Sequence, residues 1–192
     1  MTNRAVFLDR DGTLHEDTGY IGEPEVIKLF PDVGETLFRI KNELDFLFIV
    51  ISNQSGIARG LITKEQVDAV NQKINSLLTD FNVSIDAFYY CPYHPDYNTR
   101  EESICRKPSP EMVRKAAKDF NIDLSKSYFI GDSVADIECG INASLKTILV
   151  KTGNGRDSLS ILHEENKIPN FVAENFFEAG NFIFNDTYGE NK

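Results

Sequence analysis

Short apolar runs alternate with helical patterns along this chain at a spacing that specifies a parallel, doubly wound α/β sheet. The first run is Ala5-Val6-Phe7-Leu8, read as a short buried strand. The second, Phe46 to Ile51, is continuously apolar, as a strand buried on both faces requires. Ala87 to Cys91, Tyr128 to Ile130 and Thr147 to Val150 supply a third, fourth and fifth strand. Between them, Asp32 is placed to cap a helix through Leu37 and Ile40. Thr63-Lys64-Glu65-Gln66 is a capping-box pattern opening a helix with Val67, Val70, Ile74, Leu77 and Leu78 inward. Ser109-Pro110 offers a cap and an N1 proline ahead of Met112, Val113, Ala116 and Phe120, and a shorter helix runs through Ile137 and Ile141. A length of 192 residues fits one domain, 1–192, with the polar stretch 185–192 expected to fray.

Charge narrows the partners. The net charge of −10 disfavours nucleic acid or an anionic membrane, so a phosphate site must gather its own positive charge locally. The three cysteines, unevenly spaced, make no disulfide framework and fit a reducing cytosol. The chain opens into a strand without a signal-peptide core, and no apolar run approaches the ~20 residues of a membrane helix. The expectation is a cytoplasmic protein, monomeric, acting on a small molecule.

Chemistry gathers where strands end. Asp9-Arg10-Asp11-Gly12-Thr13 puts two carboxylates two residues apart at the carboxyl edge of the first strand, where open α/β sheets bind ligands. Such a pair repels unless a cation or a shared proton intervenes, which points to Mg²⁺ or to separate nucleophile and acid roles. The second strand ends in Ser52-Asn53-Gln54-Ser55-Gly56, a hydroxyl and amide cluster suited to phosphate oxygens. Arg106 and Lys107 precede a helix N-terminus, and Asp132 closes the fourth strand with Asp136 one helical turn later. Singly, each has a plain structural alternative: a turn, a polar loop, a solvated basic pair, a helix cap.

Jointly they form an ordered set. Asp-x-Asp, Ser, Lys and Asp at successive strand ends resemble the four motifs of the haloacid-dehalogenase superfamily of phosphotransferases, over most of the chain. The resemblance implies a Rossmann-like domain in which Asp9 is the nucleophile, Asp11 the general acid and base, and Ser52 and Lys107 hold the phosphoryl group. It implies Mg²⁺ on Asp9, Asp11 and Asp132. The wider stretches Phe7 to Thr13, Gly19-Tyr20, Ser52 to Gly60, Tyr89 to Pro92 and Cys105 to Pro108 resemble the histidinol-phosphate phosphatase subfamily. In its likeness there is no separate cap domain, and the gaps from Thr13 to Asp32 and from Cys91 to Cys105 hold short loops only. By the same likeness Gly19, Tyr20, Ile21, Gly22, Asn53, Gln54 and Ser55 contact the substrate, and Arg106 reaches a second phosphate.

One subsidiary motif departs from the pattern. The subfamily carries a structural zinc, but tyrosine stands at one expected histidine (Tyr93) and serine at one expected cysteine (Ser103). Only Cys91, Cys105 and a displaced His94 remain of four ligands, so zinc is not expected and both cysteines read as buried thiols. Ser133 also replaces a basic residue often found beside the metal-binding aspartate. Three functions follow in order: a Mg²⁺-dependent sugar-bisphosphate phosphatase, a histidinol-phosphate phosphatase, and a non-catalytic phosphosugar-binding protein. Arg106 favours the first over the second, and the two acids of Asp9 and Asp11 argue against the third.

Overall fold

In the computed structural model, which describes residues 2–189, six parallel strands form one sheet. They are β1 (Ala5–Leu8), β2 (Leu47–Asn53), β3 (Ala87–Cys91), β4 (Tyr128–Gly131), β5 (Lys146–Val150) and β6 (Phe171–Ala173). Their order is β3-β2-β1-β4-β5-β6, so the chain reverses direction across the sheet between β1 and β4. Phe7 lies level with Ile49 on one side and Phe129 on the other. The reversal leaves a crevice above the carboxyl ends of β1 and β4, because the connections leaving the two strands run to opposite faces.

The strand period of two divides the core. Val6 and Leu8 point into a layer built by α1 (Val33–Leu44), α2 (Lys64–Thr79) and α6 (Phe176–Gly189). Ala5 and Phe7 point the other way, against α3 (Glu111–Asp119) and α4 (Val134–Asn142). A smaller cluster under α5 (Gly155–Glu164) joins Leu162 to Ile137 and Leu149. Among the described residues no lid domain interrupts the sheet; the segment before α1 carries one 3₁₀ turn, Pro24–Val26, and two isolated bridges at His15, and the segment before α3 one 3₁₀ turn, Glu102–Cys105. Among the described residues no helix is long and apolar enough to cross a membrane.

Local sequence signals explain most boundaries. Thr63 accepts from the Gln66 N–H while the Gln66 side chain accepts from the Thr63 N–H, the reciprocal cap expected for α2. Other expectations need correction. Asp32 does precede α1, yet its carboxylate does not cap that helix; it accepts from Phe177 N at 2.7 Å and so pins the start of α6. Pro110 sits at the N-cap of α3, one position earlier than expected. The polar stretch expected to fray is helical through Gly189, and residues 190–192 lie outside the described residues. Thr187 is buried, and Asp186 accepts from the Tyr128 hydroxyl at 2.6 Å. A polar tail thus becomes helix by packing on β4 and α1, where Gly180 lies directly against Thr36. Finally, Cys91 and Cys105 are joined as a disulfide, which corrects the reading of two free thiols. Cys139 remains a buried free cysteine within α4.

Candidate active site

The carboxyl ends of β1, β2 and β4 and the loop before α3 converge on an open cleft of about 440 Å³. Asp9, Asp11, Gly19, Tyr20, Ser52, Asn53, Gln54, Ser55, Lys107 and Asp132 line it, as do Asp17, Ser133 and Asn154. Ile21 and Gly22 line a neighbouring hollow with Val26, Leu61 and Ile62, outside the cleft. Arg106 is not among the residues lining the cleft; it lines a separate hollow with Pro95, Arg100 and Ile104, near Arg59 and the cleft residue Tyr20.

Lys107 is the hub. Its buried ammonium touches Asp9 Oδ1 at 2.5 Å, Asp136 Oδ1 at 2.6 Å and the Ile51 carbonyl at 2.7 Å. Burial disfavours the cation, but the charges of Asp136 and Asp9 outweigh it and raise the Lys107 pKa. The backbone of Lys107 is fixed as well: Asn53 Oδ1 accepts from its N–H at 3.0 Å, and Asn53 Nδ2 donates to its carbonyl at 3.2 Å. Asn53, expected on the substrate, therefore also braces the lysine.

Three acids face this single cation. Oxygens of Asp9, Asp132 and Asp136 lie within 4.8 Å of one another, a grouping of hard donors that suits a divalent cation. Burial, then the Asp136 charge, push Asp9 well above the carboxylate range against the pull of Lys107. Burial and Asp136 likewise push Asp132 up to about 6, although the Asn154 N–H donates to its Oδ2 at 2.7 Å. Asp136 is held behind them by Ser133, whose hydroxyl and N–H both donate to its Oδ2. Three carboxylates against one ammonium leave a deficit of positive charge, and the residues fit a resident Mg²⁺ on that ground.

Two glycines let the acids approach. Gly12 has φ +83°, and a Cβ there would lie 2.3 Å from Asp132 Oδ2. Gly153 has φ +50°, and its Cβ would lie 2.2 Å from the same oxygen. Any side chain at either position would push Asp132 out of the group.

Asp11 is arranged differently from the expected metal trio. Its carboxylate lies outside the group of three and accepts from Arg10 Nη2 at 2.8 Å and Gln54 Nε2 at 2.9 Å. Burial alone would raise its pKa, but the Arg10 charge and hydrogen bonds, with His15 and Gln54, hold it low. Gln54 Nε2 also donates to Ser52 Oγ at 2.6 Å, so its amide is engaged with two site residues.

The zinc candidates form no donor set: Cys91 and Cys105 are bonded to each other, and His94 Nδ1 accepts from the Asp96 N–H. The loop after β5, Thr152-Gly153-Asn154, was missed in the sequence although it supplies the Asn154 N–H and the Thr152 hydroxyl that donates to Gly12 O at 2.6 Å. Its Gly-Asn-Gly at a strand end carried the same kind of signal as the other four ends. Asp17 was missed too; its Oδ1 accepts from Gly19 N and shapes the loop over the cleft.

Comparison with known proteins fixes the class. The HAD-hydrolase-like family model matches residues 104–179. A D,D-heptose 1,7-bisphosphate phosphatase of B. bronchiseptica, solved with magnesium and phosphate, superposes with a TM-score of 0.84 at 28% identity, covering 95% of this chain and 99% of that one. Fold and site together define a phosphoric-monoester hydrolase of the haloacid-dehalogenase type. A D-glycero-D-manno-heptose-1,7-bisphosphate 7-phosphatase of Chlorobaculum tepidum is 42% identical over 185 residues, 92% of each chain. One from Yersinia pestis, the D-glycero-beta-D-manno enzyme, is 39% identical over 78% of this chain and 81% of its own. The chain belongs to this family of heptose-bisphosphate 7-phosphatases.

Proposed function

We propose that the protein removes the 7-phosphate of D-glycero-D-manno-heptose 1,7-bisphosphate through a phosphorylated Asp9, in nucleotide-activated heptose biosynthesis. The observation that carries this reading is the junction of Asp9, Lys107, Asp132 and Asp136 at the floor of a cleft walled by Ser52 and Asp11. Asp9 attacks phosphorus as the sugar oxygen leaves, and Asp11 gives that oxygen a proton from its protonated form, the minor one because, against burial, Arg10 holds its pKa low. Asp11 then takes a proton from the water that hydrolyses the acyl phosphate; a general acid or base of this kind contributes ~10²–10⁴-fold. Lys107 and Ser52 hold the equatorial oxygens in line. Asp9 and Asp132 would hold Mg²⁺, which offsets the like charge between the nucleophile and a phosphate dianion. Phosphate release from heptose 1,7-bisphosphate, set against histidinol phosphate, tests the assignment. Faster turnover of histidinol phosphate would reject it.

Specificity rests on cations beside Tyr20, which lines the cleft. Arg106 is half-buried, with Nη1 enclosed and unbonded, and Arg59 beside it adds a second cation. Burial and then the Arg59 charge depress the Arg106 pKa. Two like charges held together with Tyr20 and Tyr97 around Arg59 make a seat for a second phosphate. Arg106→Ala is expected to lower kcat/KM for the bisphosphate by roughly ten- to a hundred-fold, and much less for a monophosphate. Equal losses on both substrates would assign Arg106 to the loop or the reacting phosphate instead.

The metal has its own signature. Because burial and the neighbouring acids raise the pKa values of Asp9 and Asp132, the stability they contribute in the metal-free protein is fully present below about pH 4 and is lost as pH rises, through about 6 for Asp132. Mg²⁺ binds the ionised acids, so the melting temperature is expected to rise on adding Mg²⁺ at pH 8 and hardly at pH 5. EDTA should abolish turnover. An equal thermal gain at both pH values would mean that the cation binds elsewhere.

A further inference from the structure

Arg10 lies between the two acids of the opening motif, yet it is among the largest fully buried side chains of the protein, 1% exposed. It follows the strand alternation, turning away from the cleft while its neighbours line it. Its Nε donates to both oxygens of Asp11, at 3.2 and 3.1 Å, and its Nη2 donates to Oδ1 at 2.8 Å. The remaining nitrogen, Nη1, reaches Asn71 Oδ1 at 3.3 Å. Asn71 is itself buried, on the face of α2 that otherwise turns Val67, Val70, Ile74 and Leu78 inward.

A polar amide on an apolar helix face costs stability unless it has a partner, and a buried guanidinium costs more. Both find their partner along one line, α2 to Asn71 to Arg10 to Asp11. From the cleft side the carboxylate meets Gln54 Nε2 at 2.9 Å, and the buried His15 Nε2, which does not line the cleft, lies 3.5 Å from it. Asp11 is therefore fixed from two directions. The rear direction is anchored on the long helix α2, not on a loop.

We propose that Asn71 and Arg10 are positioning residues for Asp11, holding its carboxylate at the angle that proton transfer needs. The inference rests on the acid–base role proposed for Asp11. The fork of Arg10 sets the plane of the carboxylate, and Asn71 sets the plane of the fork. Neither side chain touches the substrate. A displacement of the carboxylate by a fraction of an ångström weakens proton transfer while leaving the phosphate seat of Lys107 and Ser52 unchanged.

p-Nitrophenyl phosphate separates the two halves of the reaction, because nitrophenolate leaves without a proton while the later attack of water still needs a base. Asn71→Leu is close in size and leaves the Arg10–Asp11 pair in place. Its expected behaviour is a burst of about one nitrophenolate per site, then steady turnover about ten-fold below wild type with KM within about two-fold. Arg10→Lys keeps the charge but loses the fork and the reach to Asn71, and should show the same pattern more strongly. Steady turnover within two-fold of wild type in both variants would overturn the proposal. So would a burst that shrinks in step with the steady rate, since that marks a loss of competent sites. A wild-type protein that hydrolyses no phosphomonoester would instead reject the phosphatase reading itself.

Discussion

Asp9→Asn abolishes phosphate release, taking kcat below about a hundredth of wild type, and leaves the protein folded. The loss exceeds what a missing general acid alone produces, because the reaction loses its nucleophile. None of the other carboxylates in the cleft is placed to replace it. Asp11 is engaged by Arg10 and Gln54, Asp132 is bonded to the Asn154 N–H, and Asp136 is fully buried between Ser133 and Lys107. The fold survives because an amide of the same shape removes one of three mutually repelling charges while Lys107 keeps Asp136 as its counter-ion. Thermal melting in the absence of metal should stay within a few degrees of wild type. Residual turnover above the stated level, or phosphate label on a different residue after acid quench, would remove Asp9 from the role.

The residues that bring this site together were legible for a physical reason. A parallel strand buried on both faces must be nearly all apolar, so each polar residue at its carboxyl end stands out. Asp9, Ser52 and Asp132 were visible for that reason, and Lys107 by its place before a helix. What was not legible depends on contacts distant in sequence. Asp32 reads as a local cap, but the N–H it accepts belongs to Phe177. The polar residues after Asn185 read as a frayed end, but Tyr128 of a central strand provides their partner. Cys91 and Cys105 are 14 residues apart, and only the return of the loop beside β3 brings their Cα atoms to 5.5 Å. The orientation of Asp11 was hidden as well: Arg10 adjoins it in sequence, but Asn71 and Gln54 do not.

Lys107→Met is expected to be the most damaging single change, because it removes both a phosphate ligand and, among the described residues, the sole counter-ion that touches Asp9 and Asp136. Methionine fills much of the same volume, so the loss is of charge more than of packing. Breaking a buried ion pair costs roughly 3–5 kcal/mol, and the partners left behind here are acids crowded against Asp132. The pKa values of Asp9 and Asp132, already raised, rise further without the ammonium. A raised carboxyl pKa favours the protonated form in the folded state, so its stabilising contribution is present below about pH 4 and disappears as pH climbs through the folded pKa. The deficit in melting temperature relative to wild type should therefore be small near pH 4.5 and grow to its full size above pH 7. Mg²⁺ should recover part of it at pH 8, since the cation supplies positive charge to the same oxygens, but it should not restore turnover, because the transferring phosphoryl group still lacks its ammonium. A deficit of equal size at every pH would show that Lys107 matters for packing, and the electrostatic account of the cleft would fail with it.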